Sequence, residues 1–195
     1  MLTPAASQLS SSKTLPELQK TLSAGLKQYP DFPKPGILFE DIFPLFADVS
    51  LHRDLIAAFL STIQERFGGD KPDVIVGLDA RGFLIGPQVA IHLNAGFVPV
   101  RKPGKLPRKL ETVEYQKEYG TDAFAIQADS IQPGSKVVVV DDLIATGGSA
   151  AAAGALVNKC GAELMGYVFL IELTKLGGRS KLQAPAYTIL ESQAD

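Results

Sequence analysis

Four consecutive valines, Val137 to Val140, constrain the fold of this chain more than any other feature. A run of β-branched residues without polar alternation has two faces to bury, so it reads as an interior strand of a parallel sheet. Asp73 to Leu78 (DVIVGL), Phe97 to Arg101 (FVPVR) and Leu164 to Ile171 (LMGYVFLI) are short apolar runs of the same kind. Helices are expected between them, at Gly82 to Leu93 and Gly148 to Cys160. Strands separated by helices imply an α/β fold with a mostly parallel central sheet flanked by helices. Ligands in such folds gather at the carboxyl ends of the strands, which directs attention to the loops after Leu78, Val100 and Val140.

The rest of the chain is organised around that sheet. Thr14, Leu15, Pro16 and Glu17 form a capping-box pattern, and Leu15, Leu18, Leu22 and Leu26 recur at helical spacing, so a first helix is expected to run to Tyr29. Pro30, Pro33, Pro35 and Gly36 then impose an extended, turn-rich segment, PDFPKPGILFEDI. Leu51, Leu55, Ile56, Phe59, Leu60, Ile63 and Phe67 predict a second amphipathic helix, closed by Gly68 and Gly69. Residues 102–121 form a long polar stretch without clear period, the character of a functional lid. With 195 residues, 46% of them hydrophobic, a single domain over 14–195 is expected, with a hood at about 29–45 and the lid at about 102–121. Residues 1–13 read as a loose terminus.

Charge and composition narrow the function classes. A net charge of −2 lacks the basic excess that nucleic-acid or anionic-membrane binding leaves, and no apolar run approaches the roughly 20 residues of a spanning helix. Cys160 is the only cysteine, and neither an arginine-led nor an apolar leader precedes the first helical pattern, so a cytoplasmic location is expected.

The valine strand delivers Asp141 and Asp142 to its carboxyl edge, and Ala145, Thr146, Gly147, Gly148 and Ser149 follow as a helix begins. Adjacent carboxylates repel each other, a cost that makes sense when a ligand supplies hydroxyl donors or a divalent cation. Small residues and two glycines let backbone amides close around an anion, with the Thr146 and Ser149 hydroxyls as further donors. Acid beside an anion nest suits a sugar phosphate. The alternative is an ordinary strand-to-helix turn with aspartate caps. Neither a G-x-x-x-x-G-K-[ST] loop nor a G-x-G-x-x-G turn is present, so P-loop and dinucleotide readings lack their central residues.

On these residues the sequence resembles the type I phosphoribosyltransferases, whose signature is a hydrophobic strand, two acidic residues and a small-residue phosphate loop. The resemblance implies that Ala145 to Ser149 hold the 5-phosphate of 5-phosphoribosyl 1-pyrophosphate while Asp141 and Asp142 take its ribose hydroxyls. A second anion site for the pyrophosphate is expected from Asp79, Ala80 and Arg81 after DVIVGL, and from Arg101 and Lys105 after FVPV. The similarity also runs through FPKPGILFEDI, GLDARGFLIGP, VRKPGKLP and EYG, nearest to those members of the family that use adenine. It implies conversion of adenine and phosphoribosyl pyrophosphate to AMP and pyrophosphate, with Mg²⁺, in a cytoplasmic homodimer. It also implies a cis peptide at Asp79-Ala80. Ser149 stands where the family often has Thr, and the lid matches more loosely.

Displacing pyrophosphate from C1 builds positive charge on the sugar and negative charge on the leaving group. Arg81, Arg101, Lys105 and Mg²⁺ serve the leaving group, with Asp141 and Asp142 reaching the ion directly or through water. Glu118 is the candidate to accept the purine proton or stabilise the purine, and Tyr119 to shape the closed lid. For the base, Phe39 is assigned to stack on the purine with Leu143 opposite, and the backbone of Leu38 and Glu40 to read its edge. An acceptor facing the exocyclic amine would favour adenine over a 6-oxopurine; the residues leave open which group that is. His52 and His92 lack metal spacing and read as structural or exposed, and Cys160 as a small buried apolar residue. Two rival functions stay open: a phosphoribosyltransferase for another base, and a non-catalytic sensor of phosphoribosyl pyrophosphate.

Overall fold

The computed structural model describes residues 13–116 and 121–192, and its chain divides into two compact units, Met1–Ser61 and Thr62–Asp195. In the first, α1 (Leu15–Gly25) starts on the expected capping box: the Glu17 carboxylate accepts from the Thr14 backbone N–H at 2.7 Å and hydroxyl at 2.8 Å. Leu18 and Leu22, one turn apart, are fully buried. The helix ends four residues before the expected Tyr29. Leu26 is already extended, and β1 (Lys27–Pro30) pairs antiparallel with β2 (Leu38–Asp41). Pro30 disfavours helix in the residue before it, and pairing with β2 satisfies the backbone that a longer helix would have used. The turn between the strands carries a cis Phe32-Pro33 bond, and the Asp31 carboxylate accepts from the Gly36 N–H at 2.7 Å. A short α2 (Phe43–Ala47) precedes α3 (Val49–Arg66), whose first turn is capped by Asp48 through the amides of Ser50 and Leu51 at 2.7 and 3.0 Å.

The second unit holds a five-stranded sheet of β3 (Val74–Leu78), β4 (Gly96–Val100), β7 (Lys136–Ile144), β8 (Glu163–Leu173) and β9 (Ala186–Ser192). Their order is β4-β3-β7-β8-β9, and every pairing is parallel, as the alternating pattern predicts. Val137 to Val140 are fully buried at its centre. Helices α4 (Gly82–Leu93) and α5 (Gly148–Lys159) match the expected spans to within one residue. Leu156 and Val157 of α5 bury against Val137, Val139, Tyr167 and Phe169, each such side chain contributing about 1.5 to 3 kcal/mol.

Three differences from the sequence reading matter for the site. The valine strand does not stop at the aspartates. Its pairing with β3 ends at Val140, but its pairing with β8 continues through Asp141↔Phe169 and Leu143↔Ile171 to Ile144↔Glu172. The polar stretch at 102–121 is not structureless either. It contributes β5 (Leu110–Gln116), antiparallel to β6 (Thr121–Gln127), with Tyr115 stacked on Phe124 at 5.1 Å. Arg101 and Ala125 exchange backbone hydrogen bonds of 3.0 and 2.7 Å, and Lys159 of α5 donates to the Thr112 carbonyl at 2.8 Å. Finally β9, unpredicted, closes one edge of the sheet.

Candidate functional site

Within the second unit, a cavity of about 260 Å³ opens at the carboxyl ends of β3 and β7, lined by Leu78, Asp79, Arg81, Phe124 and the run Asp141 to Ala150. Its floor is the loop between β7 and α5. Gly147 turns the chain with φ +79°, a left-handed conformation that glycine adopts without penalty. The first helical hydrogen bond of α5 is Ala151 N–H to Gly147 O, at 2.9 Å, so the amides of Gly148, Ser149 and Ala150 have no acceptor within the helix. These donors, the positive end of the helix dipole and the Thr146 and Ser149 residues border one cavity, an arrangement suited to an anion.

The acidic side of the cavity is only partly satisfied: Asp141 Oδ1 accepts from the Asp142 N–H at 3.0 Å. Burial and the neighbouring Asp142 charge push the Asp141 carboxyl well above the usual carboxylate range. Asp142 is 3% exposed; burial pushes it upward as well, with Arg81 opposing the shift. Arg81 Nε lies 3.0 Å from Asp142 Oδ2, yet that oxygen has no aligned hydrogen-bond donor. Two carboxylates in this state favour a ligand that brings positive charge or hydroxyl donors.

Arg81 is set in place by the turn before α4. The Asp79-Ala80 peptide is cis, as the family resemblance implies, and Arg81 is the N-cap of α4. Gly82 packs where a Cβ would lie 3.0 Å from Val140 O and 3.2 Å from Asp141 Oδ1, so a larger residue would have to push the helix start away from the acids by a few tenths of an ångström. Asp79 accepts from Arg101 Nε at 2.8 Å, and Arg101 Nη1 donates to the Lys105 carbonyl at 3.3 Å. The Arg101 guanidinium also lies 5.8 Å from the Phe83 ring centroid. Phe83 meets Phe97 edge-on at 5.9 Å, and Phe97 fills a slot in which a Cβ at Gly77 or Gly86 would lie 2.8 or 2.5 Å from its ring.

The structure therefore gathers Asp79, Arg81, Asp141, Asp142, Leu143 and Ala145 to Ser149 around one cavity, and ties Arg101 to it through Asp79. Ala80 and Lys105 are exposed and outside the lining. Leu38, Phe39 and Glu40 lie on β2 in the first unit; Phe39 packs edge-on against Phe32 at 5.0 Å, and buried Glu40 accepts from Gln28 Nε2 at 2.9 Å. Glu118 and Tyr119 fall outside the described residues. Sequence reasoning missed Phe124, which is 4% exposed and forms part of the cavity wall. The apolar run Ala123 to Ile126 was the signal that could have found it.

An amide-lined anion loop beside paired acids, facing an arginine at the end of a parallel sheet, is the arrangement of a phosphoribosyl-binding enzyme. The family profile described as "Phosphoribosyl transferase domain" matches residues 50–195. The adenine phosphoribosyltransferase of Yarrowia lipolytica is 57% identical over 180 residues, covering 92% of this chain and 99% of that one. The crystal structure of the Saccharomyces cerevisiae adenine phosphoribosyltransferase, complexed with an imino-altritol bisphosphate and adenine, superposes with a TM-score of 0.88 at 52% identity, over 90% of this chain and 99% of that one. The Trypanosoma brucei enzyme in complex with AMP, pyrophosphate and ribose-5-phosphate gives 0.80 at 29% identity, over 93% and 81%. The chain belongs to the adenine phosphoribosyltransferase family.

Proposed function

We infer that this protein transfers the 5-phosphoribosyl group of 5-phosphoribosyl 1-pyrophosphate to adenine, giving AMP and pyrophosphate, a purine-salvage reaction. The observation that carries this reading is the placement of Asp141 and Asp142 directly before an amide-lined loop in the same cavity as Arg81. The loop takes the 5-phosphate and the acids take the ribose hydroxyls, so C1 faces the arginine side. A purine nitrogen attacks C1, the C1–O bond breaks, and its electron pair leaves with pyrophosphate. Arg81, Arg101 and Lys105 neutralise that leaving group, with Asp79 and Ala80 forming the turn that receives it. Glu118 takes the proton that the purine loses and Tyr119 helps close the site; both roles rest on the resemblance. Stacking on adenine by Phe39 with Leu143, and reading of its edge by Leu38 and Glu40, rest on the resemblance; of these, Leu143 borders the cavity.

Asp141 and Asp142 fit a divalent cation. Both are raised by burial, and Asp142 Oδ2 lacks an aligned donor. Mg²⁺ keeps several waters and takes few protein ligands, so the two carboxylates would hold it directly or through water. When bound, it supplies charge neutralisation for the pyrophosphate. A homodimer is supported by Leu84 and Ile91, 39% and 77% exposed and two helical turns apart on α4. A cytoplasmic location is supported by the single, unpaired Cys160. No helix of the described residues is long and apolar enough to cross a membrane.

The test is nucleotide formation from phosphoribosyl pyrophosphate, Mg²⁺ and each base in turn. AMP from adenine is expected. Product with hypoxanthine or guanine but not adenine would transfer the assignment to another base, and binding of the donor without product from any base would make the protein a sensor.

A further inference from the structure

We propose that the turn Gly178–Lys181 is the strut that fixes the phosphate loop, making Gly178 and Arg179 positioning residues for the 5-phosphate; this rests on the reading of residues 145–149 given above. The contact is backbone against backbone. A Cβ at Gly147 would overlap the Gly178 carbonyl oxygen and lie 3.1 Å from Gly178 Cα. A Cβ at Gly178 would overlap the Ala145 carbonyl oxygen and lie 2.8 Å from Gly147 N. Neither side offers a flexible side chain that can swing away, so any added atom must displace the loop itself.

The turn is in turn locked to β8 and β9, and β8 is the partner of the strand that leads into the loop. Arg179 Nε donates to Glu172 Oε2 at 2.6 Å, Nη2 lies 2.5 Å from the same oxygen and donates to Thr188 Oγ1 at 2.5 Å, and Nη1 donates to the Ala186 carbonyl at 3.1 Å. Glu172 is 7% exposed and is the β8 partner of Ile144, the last residue of β7 before the loop. The chain thus closes a circuit from Ile144 through the loop to Gly178, Arg179, Glu172 and back to Ile144. Ser180 Oγ donates to the Gly177 carbonyl at 2.8 Å and closes the turn from within. A loop held at both ends and in its middle keeps its amides aimed before the phosphate arrives, which reduces the ordering cost of binding.

The pyrophosphate side is built on a different segment, Asp79 to Gly82 with Arg101, so the strut should act on one half of the donor only. The experiment measures ribose 5-phosphate and pyrophosphate affinities separately by calorimetry, alongside AMP formation and thermal melting, for wild type, Gly178→Ala and Arg179→Lys. Gly178→Ala should weaken ribose 5-phosphate by about tenfold or more, the loss of roughly one charge-assisted hydrogen bond, and leave pyrophosphate within about twofold. Arg179→Lys keeps a cation for Glu172 but loses the fork to Thr188 and Ala186; a selective loss of about threefold is expected. It carries the test if Gly178→Ala does not fold. Equal loss of both ligands, or unchanged ribose 5-phosphate affinity in a folded variant, overturns the strut. Wild-type protein that binds no ribose 5-phosphate and makes no AMP would instead overturn the reading of the loop.

Discussion

Tyr167 and Gly154 form a pair whose energetics can be worked from the structure. Tyr167 is fully buried on β8, its ring 6.1 Å from Phe169 and nearly parallel to it, and its hydroxyl has no hydrogen-bond partner. An unpartnered buried hydroxyl costs about 1 to 3 kcal/mol. Tyr167→Phe removes that cost and leaves a void smaller than a methyl group, so it should stabilise the fold by about 1 kcal/mol, or raise Tm by about 2 to 4 °C at this size. Gly154 on α5 is the residue that makes room: a Cβ there would overlap Tyr167 Oη and lie 2.9 Å from Leu164 Cδ2. Gly154→Ala gains about 1 kcal/mol of helix propensity but forces overpacking of about 1 to 3 kcal/mol, for a net loss. In the Tyr167→Phe background the overlapping oxygen is gone, and the loss should shrink by at least about 1 kcal/mol. Urea unfolding of the four proteins at neutral pH measures the cycle. Additive effects, or a Tyr167→Phe variant less stable than wild type by more than about 1 kcal/mol, would show that the hydroxyl is satisfied and the reasoning wrong.

Three further outcomes are expected. Burial raises the Tyr167 hydroxyl from 10.0 to about 12, so the folded state favours the neutral phenol; that contribution is intact below pH 10 and is lost as pH rises toward 12. Alkaline melts should show this loss in wild type and not in Tyr167→Phe. Asp141→Asn removes a carboxylate held well above its usual range, so unliganded stability should increase while AMP formation falls by about a hundredfold or more, measured by melting and turnover. Gly82→Ala presses on Val140 O and Asp141 Oδ1 and should cut kcat/KM by about ten- to a hundredfold with the fold retained by circular dichroism.

Much of the sheet was legible because Val137 to Val140 and the run Val74 to Leu78 carry an unambiguous signal of burial on both faces. Two helix starts were legible from their punctuation, Thr14 with Glu17 at one and Gly147 with Gly148 at the other, whereas the end of α1 was not. That the two acids and the glycine loop belong to one cavity was legible because they fall within nine consecutive residues, Asp141 to Ser149. What escaped was non-local. Val113 and Tyr115 alternate with polar residues, but only the partner strand carrying Phe124 makes that alternation a hairpin. The true length of β7 depends on β8 outlasting β3, which no window of sequence around Asp141 contains. The backbone approach of Gly178 to Gly147, across some thirty positions of chain, likewise leaves no periodic trace.

That unequal pairing makes β7 two kinds of strand in one. Through Val140 it is an interior strand; from Asp141 to Ile144 it keeps β8 on one side and has no strand partner on the other among the described residues. An edge of this kind ordinarily invites another chain. Here it is four residues long and lies at the mouth of a cavity faced by Arg81. It presents the cavity with main-chain groups that no side-chain substitution can delete. A ligand held by that edge would keep its main-chain contacts through substitutions at Leu143 or on the facing wall.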